Sequence, residues 1–181
     1  IGTLAFSPDG SQLASGSRDR DAKVWDVATG ELMGTFSGDT SVVQSLAFSL
    51  DGRLLYVGRL NGAIESWNLA SGVEETQFEG HRLNVKKLAL SPDGLQLVSA
   101  GGDTTVRFWD LETGRETQLL RGHASDVNDV AFAPGGQWMA TGSWDGTVRL
   151  WDAASRQEPQ SLRLYVNGSA LSIAYSQEDR Y

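Results

Sequence analysis

Four short apolar runs end in a tryptophan at one fixed interval: Trp25, Trp67, Trp109 and Trp151 lie 42 residues apart. Other landmarks keep the same step. The strings Ser7-Pro8-Asp9-Gly10, Ser49-Leu50-Asp51-Gly52, Ser91-Pro92-Asp93-Gly94 and Ala133-Pro134-Gly135-Gly136 do so, as do Gly38-Asp39, Gly80-His81 and Gly122-His123. A period of this length marks one supersecondary unit copied along the chain, with each copy shielding its neighbour. A fifth copy starts at Ala170-Leu171-Ser172-Ile173, displaced by one residue.

The third copy shows the unit most clearly. Residues 85–91 form an apolar strand, A, followed by the turn Pro92-Asp93-Gly94, in which proline presets φ and glycine relieves the exit. Residues 95–100 form strand B, 105–110 strand C and 116–120 strand D, separated by Gly101-Gly102-Asp103 and Thr113-Gly114. Strands joined by such short turns pair antiparallel, so each copy is a four-stranded meander. No apolar period of 3.6 residues persists long enough for a helix.

Strand A is the most apolar of the four and strand D the most polar. Pro159 falls in the fourth strand D, and proline is tolerated on an edge strand. The A strands therefore lie inside and the D strands outside, which predicts an all-β fold, a β-propeller of four-stranded antiparallel blades. The predicted blades are 1–37, 43–79, 85–121 and 127–165, with one extra inner strand opening a fifth at 169–181. Four blades and a fifth inner strand do not close a ring. The expectation is a partial propeller over 1–181, either part of a larger propeller or an arc that self-associates.

Composition excludes several function classes. A net charge of −8 repels phosphate backbones, so nucleic acid is not an expected partner. No apolar run approaches the ~20 residues of a membrane span, so no membrane partner is expected either. Cysteine is absent, which removes thiol nucleophiles, thiolate metal sites and disulfides. A cytoplasmic location is expected.

The copies resemble WD-repeat propellers. Gly-His precedes strand A, Ser-Pro-Asp-Gly follows it, an Asp stands in the B–C turn, and Trp-Asp ends strand C. The resemblance implies a buried hydrogen-bond set in each blade: His81, Ser99, Asp103 and Trp109 in the third copy, His123, Thr141, Asp145 and Trp151 in the fourth. The first copy supplies Ser15, Asp19 and Trp25. The second departs, with Asp39 for His, Val57 for Ser, Asn61 for Asp and Trp67-Asn68 for Trp-Asp. That blade is expected to be held mainly by apolar packing and to be locally the weakest.

Serine, histidine and aspartate together invite a hydrolase reading. Both histidines occupy the repeating slot, however, and a catalytic group is not expected to recur with the period of a scaffold. No catalytic residue, metal site or cofactor is expected, since two histidines one blade apart do not converge on a metal.

Function on such a frame belongs to the positions that vary between copies. One set precedes the turn Asp: Arg18, Leu60, Gly102 and Trp144. The other opens strand A: Gln44, Asn84, Lys86, Asp126 and Asn128, with Ser169 and Leu171 in the partial copy. The resemblance implies that this face, around the central opening, grips peptides and partner proteins. Trp144 is the leading candidate, because no other copy has an aromatic there and exposed tryptophan is enriched at hot spots. The competing reading is that Trp144 packs on a neighbouring loop. The expected function is a non-catalytic protein–protein interaction scaffold. The alternative is a sensory or regulatory propeller module of a larger signalling protein that carries an NTPase or kinase elsewhere in its chain.

Overall fold

The structure is a computed structural model that describes residues 1–38, 40–155 and 169–175. It is built entirely of strands, and the described residues contain no helix. The first blade comprises β1 (Thr3–Phe6), β2 (Gln12–Gly16), β3 (Ala22–Asp26) and β4 (Leu32–Phe36). The second comprises β5 (Val43–Phe48), β6 (Leu54–Arg59), β7 (Ile64–Asn68) and β8 (Glu74–Phe78). The third comprises β9 (Val85–Leu90), β10 (Gln96–Gly101), β11 (Val106–Asp110) and β12 (Glu116–Leu120). The fourth comprises β13 (Val127–Phe132), β14 (Trp138–Ser143) and β15 (Val148–Asp152). Its expected outer strand, with Pro159, lies outside the described residues, as do 176–181.

Each sheet is an antiparallel meander in chain order. The register repeats from blade to blade: Leu13 pairs with Trp25, Leu55 with Trp67, Leu97 with Trp109 and Met139 with Trp151. The A strands β1, β5, β9 and β13 lie side by side in sequence order, and β5, β9 and β13 each also pack on strand B of the blade before. Each apolar cluster therefore lies mainly between blades. Val24 and Phe36 of the first meet Leu46, Phe48 and Trp67 of the second. The same arrangement joins the second to the third and the third to the fourth. A single meander has too little volume to bury its own faces, so lateral stacking is what removes the apolar surface from water.

Side chains of the A strands also tie the blades together. Ser45 Oγ accepts the Leu88 amide at 2.9 Å, and Asp129 Oδ2 accepts the Ile173 amide at 2.6 Å. The Ala170 amide donates to the Ser143 carbonyl at 3.0 Å. Residues 169–175 thus lie against the fourth blade where a fifth strand A belongs, but they form no ladder among the described residues. The arc is an incomplete ring.

Candidate partner-binding edge

The buried polar groups of the third blade form a directed relay. Trp109 Nε1 donates to Ser99 Oγ at 2.8 Å, and His81 Nε2 lies 2.7 Å from the same oxygen. His81 Nδ1 lies 3.0 Å from Asp103 Oδ1. A carboxylate only accepts, so the Nδ1 proton is donated to Asp103, while Ser99 Oγ accepts the indole proton and stands between the indole and Nε2. The fourth blade repeats the relay through Trp151, Thr141, His123 and Asp145, at 2.9, 2.8 and 3.0 Å. In the first blade Trp25 Nε1 donates to Ser15 Oγ at 2.9 Å.

These carboxylates also hold loop backbone. Asp103 accepts the Arg82 and Thr105 amides, and Asp145 accepts those of Ala124 and Thr147. Burial alone pushes the Asp103 carboxyl up. Hydrogen bonds from His81 and Thr105, the His81 charge and the Arg82 amide outweigh that and hold it well below the usual carboxylate range. Asp145 is depressed in the same way, with Thr147, Ala124 and His123 outweighing burial. Ser99 has no exposed surface and its oxygen already faces both an indole and an imidazole. The geometry serves to pin the D–A loop to the B–C turn of its own blade and offers a substrate no approach to Ser99 Oγ.

Pinned this way, the loops form a continuous edge. The Leu60 amide donates to the Val42 carbonyl, Gly102 to Asn84, and Trp144 to Asp126, at 2.9, 2.8 and 3.0 Å. Lys86 reaches across blades from the start of β9: its Nζ lies 3.2 Å from Asp126 Oδ2 and 4.9 Å from the centroid of the Trp144 ring. Gly102 leaves room beneath Asn84 and Asp126, because a Cβ there would collide with Asn84 Oδ1. The structure thus gathers five of the candidate residues, Asn84, Lys86, Gly102, Asp126 and Trp144, at one place. Trp144 remains 53% exposed although Lys86 covers part of its ring.

The other candidates are more dispersed. Arg18, Leu60 and Leu171 are exposed, and Gln44 is half-buried. Asn128 is turned to the fifth segment, where Nδ2 donates to the Ala170 carbonyl at 3.2 Å. Three exposed residues of the same edge were not singled out by sequence: Arg20, Arg82 and Leu83. The signal was present, since their counterparts one step on are Gly62, Ala124 and Ser125.

Residues 1–26, 30–68, 72–110 and 114–152 each match the WD domain, G-beta repeat family. The chain belongs to the WD-repeat family. It is similar to Protein Mut11 of Chlamydomonas reinhardtii, 54% identical over 35 residues, which cover 19% of this chain and 10% of that protein. It is also similar to the Probable serine/threonine-protein kinase PkwA of Thermomonospora curvata, 50% identical over 42 residues, 23% of this chain and 6% of that protein. The chain therefore matches a tenth or less of the length of these curated relatives, about one repeat in each.

Against the WD pattern the second blade is the exception, and its replacement is ionic. Arg59 and Glu65, both buried, pair in bidentate fashion, with Nε–Oε1 and Nη2–Oε2 each 2.8 Å. Trp67 Nε1 donates to Glu65 Oε2 at 3.1 Å. Val57 cannot accept the indole proton, so Glu65 does, and Arg59 neutralises the charge this introduces. Arg59 Nη1 also donates to the carbonyls of Arg20 and Ser41, at 2.9 and 2.8 Å, joining the first blade to the second. Beside the apolar packing expected of this blade, a buried ion pair takes over the relay's task. Asp39, which stands in the histidine's place, lies outside the described residues.

Proposed function

We infer that this chain, as WD repeats generally do, serves as a protein–protein interaction scaffold. We propose that this chain binds protein or peptide partners at the edge formed by its B–C turns and D–A loops, with Trp144 as the main anchor. The observation that carries this reading is the meeting of Lys86, Asp126 and half-exposed Trp144 where two blades adjoin. Tryptophan in a rigid frame offers a large contact area at little entropic cost, and the relays supply that frame.

Affinity capture with wild type and Trp144→Ala, paired with thermal unfolding of both, tests the proposal. The expected result is loss of a specific partner with stability changed by less than ~1 kcal/mol, as for a surface residue outside the packed interior. A matching fall in melting temperature assigns Trp144 a packing role and refutes the anchor.

A second reading is a regulatory propeller within a larger signalling protein. It is supported by the identity to one stretch of a protein named as a kinase. A kinase or phosphate-binding motif in the flanking reading frame supports it, and flanking sequence without one removes it. A cytoplasmic location belongs to the same proposal, and a chain without cysteine suits a reducing compartment.

A further inference from the structure

We propose that the partner of this edge is an acidic peptide segment carrying apolar side chains; the proposal rests on the reading of the edge as a partner-binding surface. The loops are stitched into one track from the first blade to the fourth. Arg20 and Ser41 meet at Arg59, Asn61 donates its amide to Ser41 Oγ at 3.1 Å, and Gly62 abuts the carbonyls of His81 and Leu83. Asn84, Gly102, Asp126 and Trp144 continue it.

Charge along this track is unbalanced. Most described carboxylates of the B–C turns and of the segments entering strand A are already engaged, the exception being exposed Glu79 just after β8. Asp19 pairs with Lys23, Asp21 accepts from Ser37, Asp103 and Asp145 hold the histidines, and Asp126 holds Lys86. Arg18, Arg20 and Arg82 are exposed and form no ion pair among the described residues. A chain with net charge −8 thus presents unpaired guanidiniums on the edge where Leu60, Leu83 and Trp144 are exposed. Guanidiniums recognise carboxylates in bidentate fashion, and the apolar side chains between them suit aliphatic or aromatic residues.

Arg20 adds a separate indication. It stands at a turn position with positive φ in every blade: Arg20 79°, Gly62 96°, Thr104 67° and Gly146 78°. Two blades place glycine there, the residue that adopts this conformation without strain. Arginine is held there despite the cost, as Thr104 is in the third blade, and strain retained at a non-glycine position points to a use for the side chain.

The test uses the whole chain and a fluorescein-labelled peptide alternating glutamate with leucine and tryptophan, read by anisotropy. The comparison is the same peptide with lysine for glutamate. The expected results are at least tenfold tighter binding of the acidic probe, weakening with added salt, and a fivefold or greater loss in both Arg82→Glu and Trp144→Ala. Arg20→Gly is the decisive variant, expected to raise the unfolding midpoint while weakening the acidic probe. Equal binding of the two probes, still lost in Trp144→Ala, overturns the acidic preference and leaves the edge as the binding surface. Binding of neither probe, or binding indifferent to all three variants, overturns the proposal, and binding that maps elsewhere overturns the surface as well.

Discussion

Arg59 illustrates how much a single position can depend on its partner. Its guanidinium pairs in bidentate fashion with Glu65, and both are shut off from water. Removing one member of a buried pair leaves the other charge uncompensated, which costs ~3–5 kcal/mol, whereas removing both is often neutral. Arg59→Met is therefore expected to destabilise by about that amount. Arg59→Met with Glu65→Gln is expected to recover most of it, because the glutamine oxygen still accepts from Trp67. Denaturant unfolding of the two variants checks this, and equal losses in both remove the compensation argument. Neither residue was legible as a site in the sequence. Each reads alone as a defect, arginine where other copies have Gly101 or Ser143, glutamate where they have Lys23, Arg107 or Arg149. The joint signal was that both depart in the copy where Val57 removes the indole acceptor.

At the scale of the blade, the two kinds of polar set respond differently to acid. Asp103 and Asp145 have native pKa values held below the ordinary carboxylate range, so each binds protons more weakly folded than unfolded. Their contribution is present above the unfolded value of ~3.9 and is lost as pH falls toward the depressed native value. The second blade has Asn61 at that turn position. Hydrogen exchange, corrected for intrinsic rates, should show β10–β11 and β14–β15 losing protection first as pH drops below ~3.9. Asp103→Asn should flatten that dependence in the third blade alone. Uniform loss in all blades, unchanged in the variant, argues against it. The strands themselves were legible because a fixed Trp step and Pro/Gly turns report local geometry. The Lys86–Trp144 contact was not, because it crosses between blades and depends on how the A strands are splayed.

At the scale of the molecule, one face stands apart. Leu46 and Phe48 of β5 are each 6% exposed because the first blade covers them, whereas their counterparts in β1, Leu4 and Phe6, are 58% and 63% exposed. The fourth blade lacks a comparable bare face at Gly142, since Ala170 and Ile173 lie against it. Large apolar side chains exposed in this way suit contact with a neighbour. We propose that another blade covers this face, from a larger ring or from a second copy of the arc. For the 181-residue chain alone only the second is available, so light scattering should show mass rising with concentration. Leu4→Lys with Phe6→Lys should hold the chain monomeric and leave the relays of the third and fourth blades intact, since β1 packs mainly on β2 and β5. A wild-type chain that stays a well-behaved monomer at every concentration defeats the self-association arm. Variants that associate as strongly as wild type place the contact on some other surface.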